Sequence, residues 1–432
     1  MRGALIDPIF GDATLRACFD DAALTAAMLQ VEAALAQAQA ELGIVPQSAA
    51  VEIASTCRSA DIAARALAQG VARTGVPIPA LLAELRGHLS PQAADWVHYG
   101  ATSQDIVDTA FCLCYRAALT ALEATLAEVI DQLQSISEKH RDTVMLARTR
   151  GQVATPITFG LRVANWAQPL IALEAELGAL RSQVLCVQFG GASGSRSAGG
   201  QGAETTRLLG ERLGLAEAPP WHSDRNAIRR LANALSRLIA AIAKMGRDLA
   251  LLSRSEIAEI RLGDVGGSST MPHKANPVGA EALQSIAAIA VACEAGLAAS
   301  ASHAEERDGA KWPVEWALMP SLFEATGAGL TRAYVLLGTL AVNPDAMQAR
   351  ADAASDVRAE AAVFALAPSL GRAEATKRVK AALSAGRDLS DLLAQSGLAN
   401  SAEMLGDAAF TAPAAEVAAD IFARRKAARR RG

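Results

Sequence analysis

The chain has 432 residues, of which 51% are hydrophobic and 4% aromatic, and its formal net charge is -4. A chain of this length can bury a large core in two or three domains, and its near-neutral charge argues against a nucleic-acid partner. The nearest candidate for a membrane span, residues 286–301, contains Glu294, so we expect no membrane association. The N-terminal sequence MRGALIDPIFGDATL lacks the apolar segment of a secretory signal, which predicts a cytoplasmic protein.

Cysteine and histidine are scattered along the chain without the spacing of a zinc site. We therefore expect reduced thiols, no metal and no cofactor. The basic run at the C-terminus, residues 424–431, is expected to be a solvated tail. The glycine-rich segment 189–202 does not follow a strand pattern, which favours a turn between helices over a dinucleotide-binding loop.

Apolar residues at helical spacing dominate the sequence. Five patterns are long enough for bundle helices, and their apolar surface exceeds one face, which is typical of helices that pack together and oligomerise. They cover residues 104–140, 156–188, 226–262, 278–303 and 314–340. The sequence therefore predicts an all-α fold of three helical domains: residues 1–100, a central five-helix bundle of residues 101–342, and residues 343–432.

The segment between two of these helices, residues 263–281, reads GDVGGSSTMPHKANPVGAE and is long for a connection. A flexible surface linker is the simplest alternative. The segment is nevertheless rich in groups that bind carboxylates or exchange protons: Ser268, Ser269, Thr270, His273, Lys274 and Asn276. It also satisfies the pattern G-S-x-x-M-x-x-K-x-N in full, from Gly267 to Asn276.

This pattern resembles the signature of the fumarase/aspartase superfamily, which includes argininosuccinate lyases, adenylosuccinate lyases and 3-carboxy-cis,cis-muconate cycloisomerases. The resemblance extends from Phe10 to Leu340, and within the superfamily the chain is most similar to the cycloisomerases. It implies a fumarase/aspartase-like fold around a central long-helix bundle. It also implies a homotetramer whose active sites each draw on three subunits.

A first candidate site region is HYGATSQD, residues 98–105. Thr102 and Ser103 precede a long helix, and the exposed amides of a helix N-terminus favour an anion. The resemblance implies that both residues contact a substrate carboxylate and that His98 lies on the substrate side. The alternative, that the hydroxyls do no more than cap the helix, remains open.

A second region, ARTRGQVATPITFG, covers residues 147–160. Arg150 stands where most related lyases have a histidine and many cycloisomerases a tryptophan. Because arginine stays protonated, Arg150 cannot be a neutral base, and we interpret it as an anion clamp. The resemblance implies that Gln152 binds substrate. Glu281 matches a carboxylate that pairs with the histidine in lyases, and a pair with Arg150 is our hypothesis.

The third region is the long loop itself. The resemblance implies that Ser268 exchanges a proton with a substrate carbon. A serine hydroxyl needs nearby positive potential for this, and Lys274 together with the N-terminus of the next helix can supply it. Asn276 is expected to bind substrate, and His273 and Arg307 are weaker candidates for substrate contacts.

The resemblance implies that the protein closes 3-carboxy-cis,cis-muconate, or a muconate with another anionic 3-substituent, to its lactone in aromatic (protocatechuate) degradation. The substrate would be a small tricarboxylate. A lyase that releases fumarate from adenylosuccinate or argininosuccinate is the close alternative, although it would normally have a histidine at position 150. A helical structural protein without catalysis is the alternative of a different class.

Overall fold

Helices dominate the computed structural model, which describes residues 5–197, 200–263, 266–267, 270–271, 274–398 and 400–429. The all-α prediction is confirmed. The helices are α1 (Asp7–Phe10), α2 (Ala13–Ala17), α3 (Asp21–Glu41), α4 (Gln47–Ser59), α5 (Ala64–Thr74), α6 (Ile78–Gly87), α7 (Pro91–Ala94), α8 (Ser103–Lys139), α9 (Phe159–Val184), α10 (Gly202–Leu213), α11 (Asn226–Leu252), α12 (Val278–Ser300), α13 (Trp312–Gly338), α14 (Pro344–Ala353), α15 (Ala359–Leu370), α16 (Arg372–Ser384), α17 (Leu389–Gln395), α18 (Ser401–Leu405) and α19 (Asp407–Arg429).

The strands of the described residues form three antiparallel pairs. They are β1 (Val144–Thr149) with β2 (Gln152–Thr158), β3 (Ile260–Arg261) with β6 (Ala341–Val342), and β4 (Gly266–Gly267) with β5 (Ala275–Asn276). The first pair corrects the predicted start of the second bundle helix. Residue 156 lies in β2, and α9 begins at Phe159 because the preceding backbone pairs with β1.

The chain divides into two compact units, each built from separate segments. Unit 1 contains residues 1–125, 176–240 and 285–331, and unit 2 contains residues 126–175, 241–284 and 332–432. The five predicted bundle helices correspond to α8, α9, α11, α12 and α13, and each contributes residues to both units. The division into three domains stays a prediction.

Glycines allow long helices to approach closely within each unit. In unit 1, a Cβ on Gly329 of α13 would lie 1.9 Å from the Cδ1 atom of Ile239 on α11. In unit 2, a Cβ on Gly246 of α11 would lie 2.9 Å from the carbonyl oxygen of Ala280 on α12. Any larger residue at these two positions would force the helices apart. The glycines therefore permit the close packing of the long helices.

The described part of the basic C-terminal run lies on α19, where Arg424, Lys426 and Arg429 are exposed as expected but Arg425 is not. Arg425 is buried on α19 and pairs with Asp131 of α8 and Glu174 of α9, and Arg429 reaches the same glutamate at 2.8 Å. The expectation of a solvated tail was wrong for Arg425 and in part for Arg429, because α19 lies within unit 2 and these two arginines pair with carboxylates of α8 and α9. Basic residues near a helix C-terminus also interact favourably with the helix dipole.

Within the described part of the chain, two helices, α8 and α12, are long and apolar enough to cross a membrane by length and composition. Core helices of globular proteins meet the same description, and more than half of the apolar stretch of α8 is buried. Two such helices are weak evidence for a membrane span. The expectation of no membrane association therefore stays a prediction.

Candidate active site

The long loop of the sequence motif is tied together at its two ends. Gly266 pairs with Asn276, and Gly267 pairs with Ala275, so β4 and β5 close the loop into a short antiparallel ladder. Lys274 is exposed and Asn276 is half-buried, immediately before α12 begins. Two predicted site residues, Ser268 and His273, lie outside the described residues. Their roles stay predictions.

Arg150 lies at the tip of the β1–β2 hairpin in unit 2. The register pairs Thr149 with Gln152, so the turn consists of Arg150 and Gly151 alone, with φ angles of +53° and +79°. Left-handed backbone at both positions defines a turn that favours asparagine and glycine, and a side chain such as arginine is strained there. The chain therefore holds an exposed guanidinium at the tip of a rigid hairpin, and it exposes the predicted substrate ligand Gln152 beside it.

A buried ion pair fixes the hairpin just below this tip. Both terminal nitrogens of Arg148 donate to the carboxylate of Glu259, at 2.9 and 2.6 Å, and Glu259 is fully buried. A bidentate pair of this kind is strong and directional. It orients the hairpin from which Arg150 projects.

The structure does not establish the hypothesised partner of Arg150. Glu281 is exposed in the first turn of α12. No ion pair between Arg150 and Glu281 is found among the described residues. The pairing stays a hypothesis.

The N-terminus of α8 in unit 1 leaves two hydroxyls available. The carboxylate of Asp105 accepts a hydrogen bond from the Thr102 backbone N–H at 3.0 Å, in the manner of a capping box. The side-chain hydroxyls of Thr102 and Ser103 are half-buried and have no hydrogen-bond partner in the part of the chain that the structure describes. Capping by Asp105 therefore weakens the alternative in which these hydroxyls only cap the helix.

Asp105 also joins this helix end to the glycine-rich segment. Its carboxylate accepts hydrogen bonds from the N–H groups of Gly190 and Gly191, at 2.8 and 2.9 Å, and contacts Nε2 of His222 at 2.8 Å. A Cβ on Gly190 would lie 2.7 Å from the His222 ring. The segment is the predicted connection between helices, and it also packs against the first candidate region. Sequence reasoning did not predict the contact between Asp105 and His222, because 117 positions separate them.

Arg307 comes close to the same helix end. Its Nε donates to the side-chain oxygen of Gln104 at 3.0 Å, and its NH2 group donates to the carbonyl oxygen of Ala192 at 3.1 Å. Unit 1 thus brings Arg307 into one cluster with the segment that carries Thr102 and Ser103. Arg307, a weaker candidate from the sequence, therefore lies close to the segment that carries the stronger candidates Thr102 and Ser103.

His98 has a left-handed backbone, with a φ angle of +64°, and its Nδ1 contacts a carboxylate oxygen of Glu32 on α3 at 2.6 Å. The Glu32 side chain is fully buried, and 14% of the His98 side chain is exposed. Burial lowers the pKa of His98, but the Glu32 carboxylate outweighs burial and raises the pKa above its ordinary value of 6.5. One ring nitrogen is thus committed to Glu32, and Nε2 remains for the predicted substrate contact.

The pair predicts a pH-dependent stability. A histidine whose pKa is raised on folding adds stability below its unfolded pKa, and this stability is lost as the pH rises through the folded pKa. We expect Glu32→Gln to lower the free energy of unfolding by about 1–3 kcal/mol near pH 5.5 and by much less near pH 9. Urea unfolding at both pH values measures this. Glu41→Gln, at an exposed pair with Arg212, is the control, and an equal loss at both pH values for Glu32→Gln would contradict the assignment.

Comparison with known proteins identifies the family to which the chain belongs. A family profile described as Lyase matches residues 4–291. With this match and the similarities below, the chain belongs to the lyases of the fumarase/aspartase superfamily.

Its similar relatives include the 3-carboxy-cis,cis-muconate cycloisomerase of Bradyrhizobium diazoefficiens, 36% identical over 76% of this chain and 74% of that protein. The enzyme of the same name from Acinetobacter baylyi is 35% identical over 78% of this chain and 77% of that protein. Among solved structures, the 3-carboxy-cis,cis-muconate lactonizing enzyme of Pseudomonas putida superposes with a TM-score of 0.89. That structure is 32% identical in sequence and covers 99% of this chain and 100% of its own.

Proposed function

We propose that the protein closes 3-carboxy-cis,cis-muconate to its muconolactone, a step in the breakdown of protocatechuate. The observation that carries the proposal is the similarity to cycloisomerases of that name over about three quarters of the chain. Basic, amide and hydroxyl side chains of the two units suit a substrate with three carboxylates. These groups are Thr102, Ser103, Arg150, Lys274, Asn276 and Arg307.

In the proposed reaction, a carboxylate oxygen of the substrate forms a C–O bond to an alkene carbon and closes the lactone. The electron pair of that double bond moves toward the carbon beside another carboxylate, and Ser268 delivers a proton there. The serine then recovers a proton from solvent. Lys274 and the N-terminus of α12 stabilise the negative charge that develops on the serine and on the substrate carboxylate.

Arg150 argues against the fumarate-releasing alternative. In that reaction, a histidine at this position assists proton transfer to the leaving group, and a permanently protonated guanidinium cannot exchange protons in this way. An additional positive charge instead favours a more anionic substrate. Disappearance of the diene absorbance on adding 3-carboxy-cis,cis-muconate tests the proposal. Fumarate release from adenylosuccinate or argininosuccinate, with no loss of diene absorbance, would refute it.

The hairpin geometry permits a test that separates binding from stability. Asparagine suits the left-handed backbone at position 150, so we expect Arg150→Asn to unfold at a temperature no lower than the original chain. The same change removes the proposed clamp and should raise KM about tenfold or more, with a smaller change in kcat. Arg141→Asn, an exposed arginine beside Asp142, is the control. An unchanged KM for Arg150→Asn would exclude the clamp.

We also propose that the active protein is a homotetramer whose sites combine residues of different subunits. The support is the resemblance stated above, together with long bundle helices that keep exposed apolar residues such as Val291 and Val335. Light scattering after size exclusion should give the mass of four chains of 44.7 kDa. Ser268→Ala chains are expected to turn over slowly, and Arg150→Ala chains to bind substrate weakly. Mixing the two and reassembling them should restore partial activity at low substrate concentration. A fully active monomer would contradict the proposal.

A further inference from the structure

We propose that Gln104 is a positioning residue that directs the guanidinium of Arg307 toward a substrate carboxylate. This inference rests on the proposed function. Gln104 lies in the first turn of α8 and its side chain is fully buried. Arg307 lies in the segment before α13 and is half-buried.

The orientation of the Gln104 amide follows from its neighbours. Its Nε2 donates to the Asp108 carboxylate at 3.1 Å and to the carbonyl oxygen of His222 at 2.9 Å. Both groups accept hydrogen bonds, so the reversed amide would place its oxygen against two acceptors. The side-chain oxygen must therefore face the other way, where Nε of Arg307 donates to it at 3.0 Å.

The acceptor that orients Gln104 is itself held rigidly. The Asp108 carboxylate receives NH1 of Arg225 at 2.8 Å and the indole N–H of Trp312 at 2.8 Å. Asp108, Arg225 and Trp312 are all buried. Gln104 thus links Arg307, which reaches the protein surface, to a fixed buried network of hydrogen bonds.

The contacts of Arg307 occupy one edge of its guanidinium. Nε is held by Gln104, and the NH2 group is held by the carbonyl oxygen of Ala192. The NH1 group has no hydrogen-bond partner among the residues that the structure describes. The edge formed by NH1 and the remaining NH2 hydrogen can therefore bind both oxygens of a carboxylate.

A neutral holder also preserves the charge of Arg307. Arg225 pairs with the carboxylates of Asp108 and Glu315, whereas within the described residues no carboxylate pairs with Arg307. Glutamine anchors the guanidinium through an uncharged oxygen. The positive charge of Arg307 therefore remains available to an anionic ligand. A glutamate at position 104 would neutralise that charge.

A double-mutant cycle on ligand binding tests the proposal. The probe is propane-1,2,3-tricarboxylate, and its Kd for the full chain is measured by calorimetry. We expect Arg307→Ala and Gln104→Met each to weaken binding about tenfold, because each removes the oriented, charged hydrogen bonds. Since both act through one guanidinium, the double variant should bind no more than about twofold more weakly than Arg307→Ala.

Gln188→Met is the matched control. Gln188 is equally buried, and it bonds Asp108 at 3.5 Å and the Trp221 N–H at 2.9 Å, but no hydrogen bond joins it to Arg307 among the described residues. Any effect of Gln188→Met should add to that of Arg307→Ala. If Gln104→Met does not fold, Gln104→Asn serves in the same cycle, because its shorter amide cannot span the same contacts.

Three results would overturn the inference: no binding of the probe by the original chain, an unchanged Kd for the Gln104 variant, or full additivity with Arg307→Ala. The proposed function is tested separately by turnover. Suppose that the Gln104 and Arg307 substitutions have non-additive effects on Kd but the protein consumes no 3-carboxy-cis,cis-muconate. That result would refute the cycloisomerase assignment and leave Gln104 as the residue that positions Arg307.

Discussion

Replacing Ser268 with alanine is expected to lower kcat by about 10²–10⁴-fold, the usual contribution of a positioned acid or base. The variant should bind substrate with nearly unchanged affinity, because the ligands proposed for the carboxylates are arginine, lysine, amide and other hydroxyl groups. Loss of the proton donor removes an interaction that is made in the transition state, so kcat and kcat/KM should fall together.

Initial rates of diene disappearance measure this effect, with Ser59→Ala as the control. The Ser59 hydroxyl bonds carbonyl oxygens of its own helix, α4, and its loss should leave kcat unchanged. Thermal unfolding of each variant checks that the fold persists. A Ser268→Ala protein with at least half the original kcat would show that another group delivers the proton.

The second large effect is on stability. Arg225→Met is expected to lower the free energy of unfolding by about 3–5 kcal/mol, because it leaves two buried carboxylates without their counter-ion. Arg225 is 3% exposed, and its partners Asp108 and Glu315 are equally inaccessible. The remaining N–H donors to Asp108 cannot replace a positive charge.

Urea unfolding provides the measurement, and Arg237→Met provides the control. Arg237 pairs with Glu176 at 2.9 Å on the surface, where half of the arginine side chain is exposed. That change should cost less than about 1 kcal/mol. Adding Glu315→Gln to Arg225→Met should recover part of the loss, since one uncompensated charge disappears. A loss below about 1 kcal/mol for Arg225→Met would mean that the network is not a major source of stability.

Periodicity predicts the helical part of this fold well, because long helices leave repeating apolar positions that local sequence displays. The β1–β2 hairpin was missed for a related reason. Its strands carry β-branched residues, but its Arg-Gly turn lacks the usual asparagine or aspartate, and its second strand runs directly into the helical pattern of α9. The buried Arg425 was missed because its partners, Asp131 and Glu174, are distant in sequence.

In the candidate site, too, local motifs identify some residues, whereas long-range contacts were not predicted. A contiguous motif identifies Lys274 and Asn276, and the HYGATSQD segment identifies Thr102 and Ser103. The long-range contacts around the HYGATSQD segment cannot be predicted from local sequence: Arg307 contacts Gln104 across 203 positions, and His222 contacts Asp105 across 117. A sequence motif can identify candidate catalytic and binding residues. The residues that orient them can be identified only from the tertiary structure.

The most direct test of the account is the product formed in D2O. Purified protein is incubated with 3-carboxy-cis,cis-muconate, and the product is examined by proton NMR. The account predicts loss of the diene signals and a lactone that carries solvent deuterium on the carbon beside a carboxylate. Both changes should be about 10²–10⁴-fold slower in the Ser268→Ala protein. Persistence of the diene signals, or a lactone without deuterium, would contradict proton delivery to carbon by this enzyme.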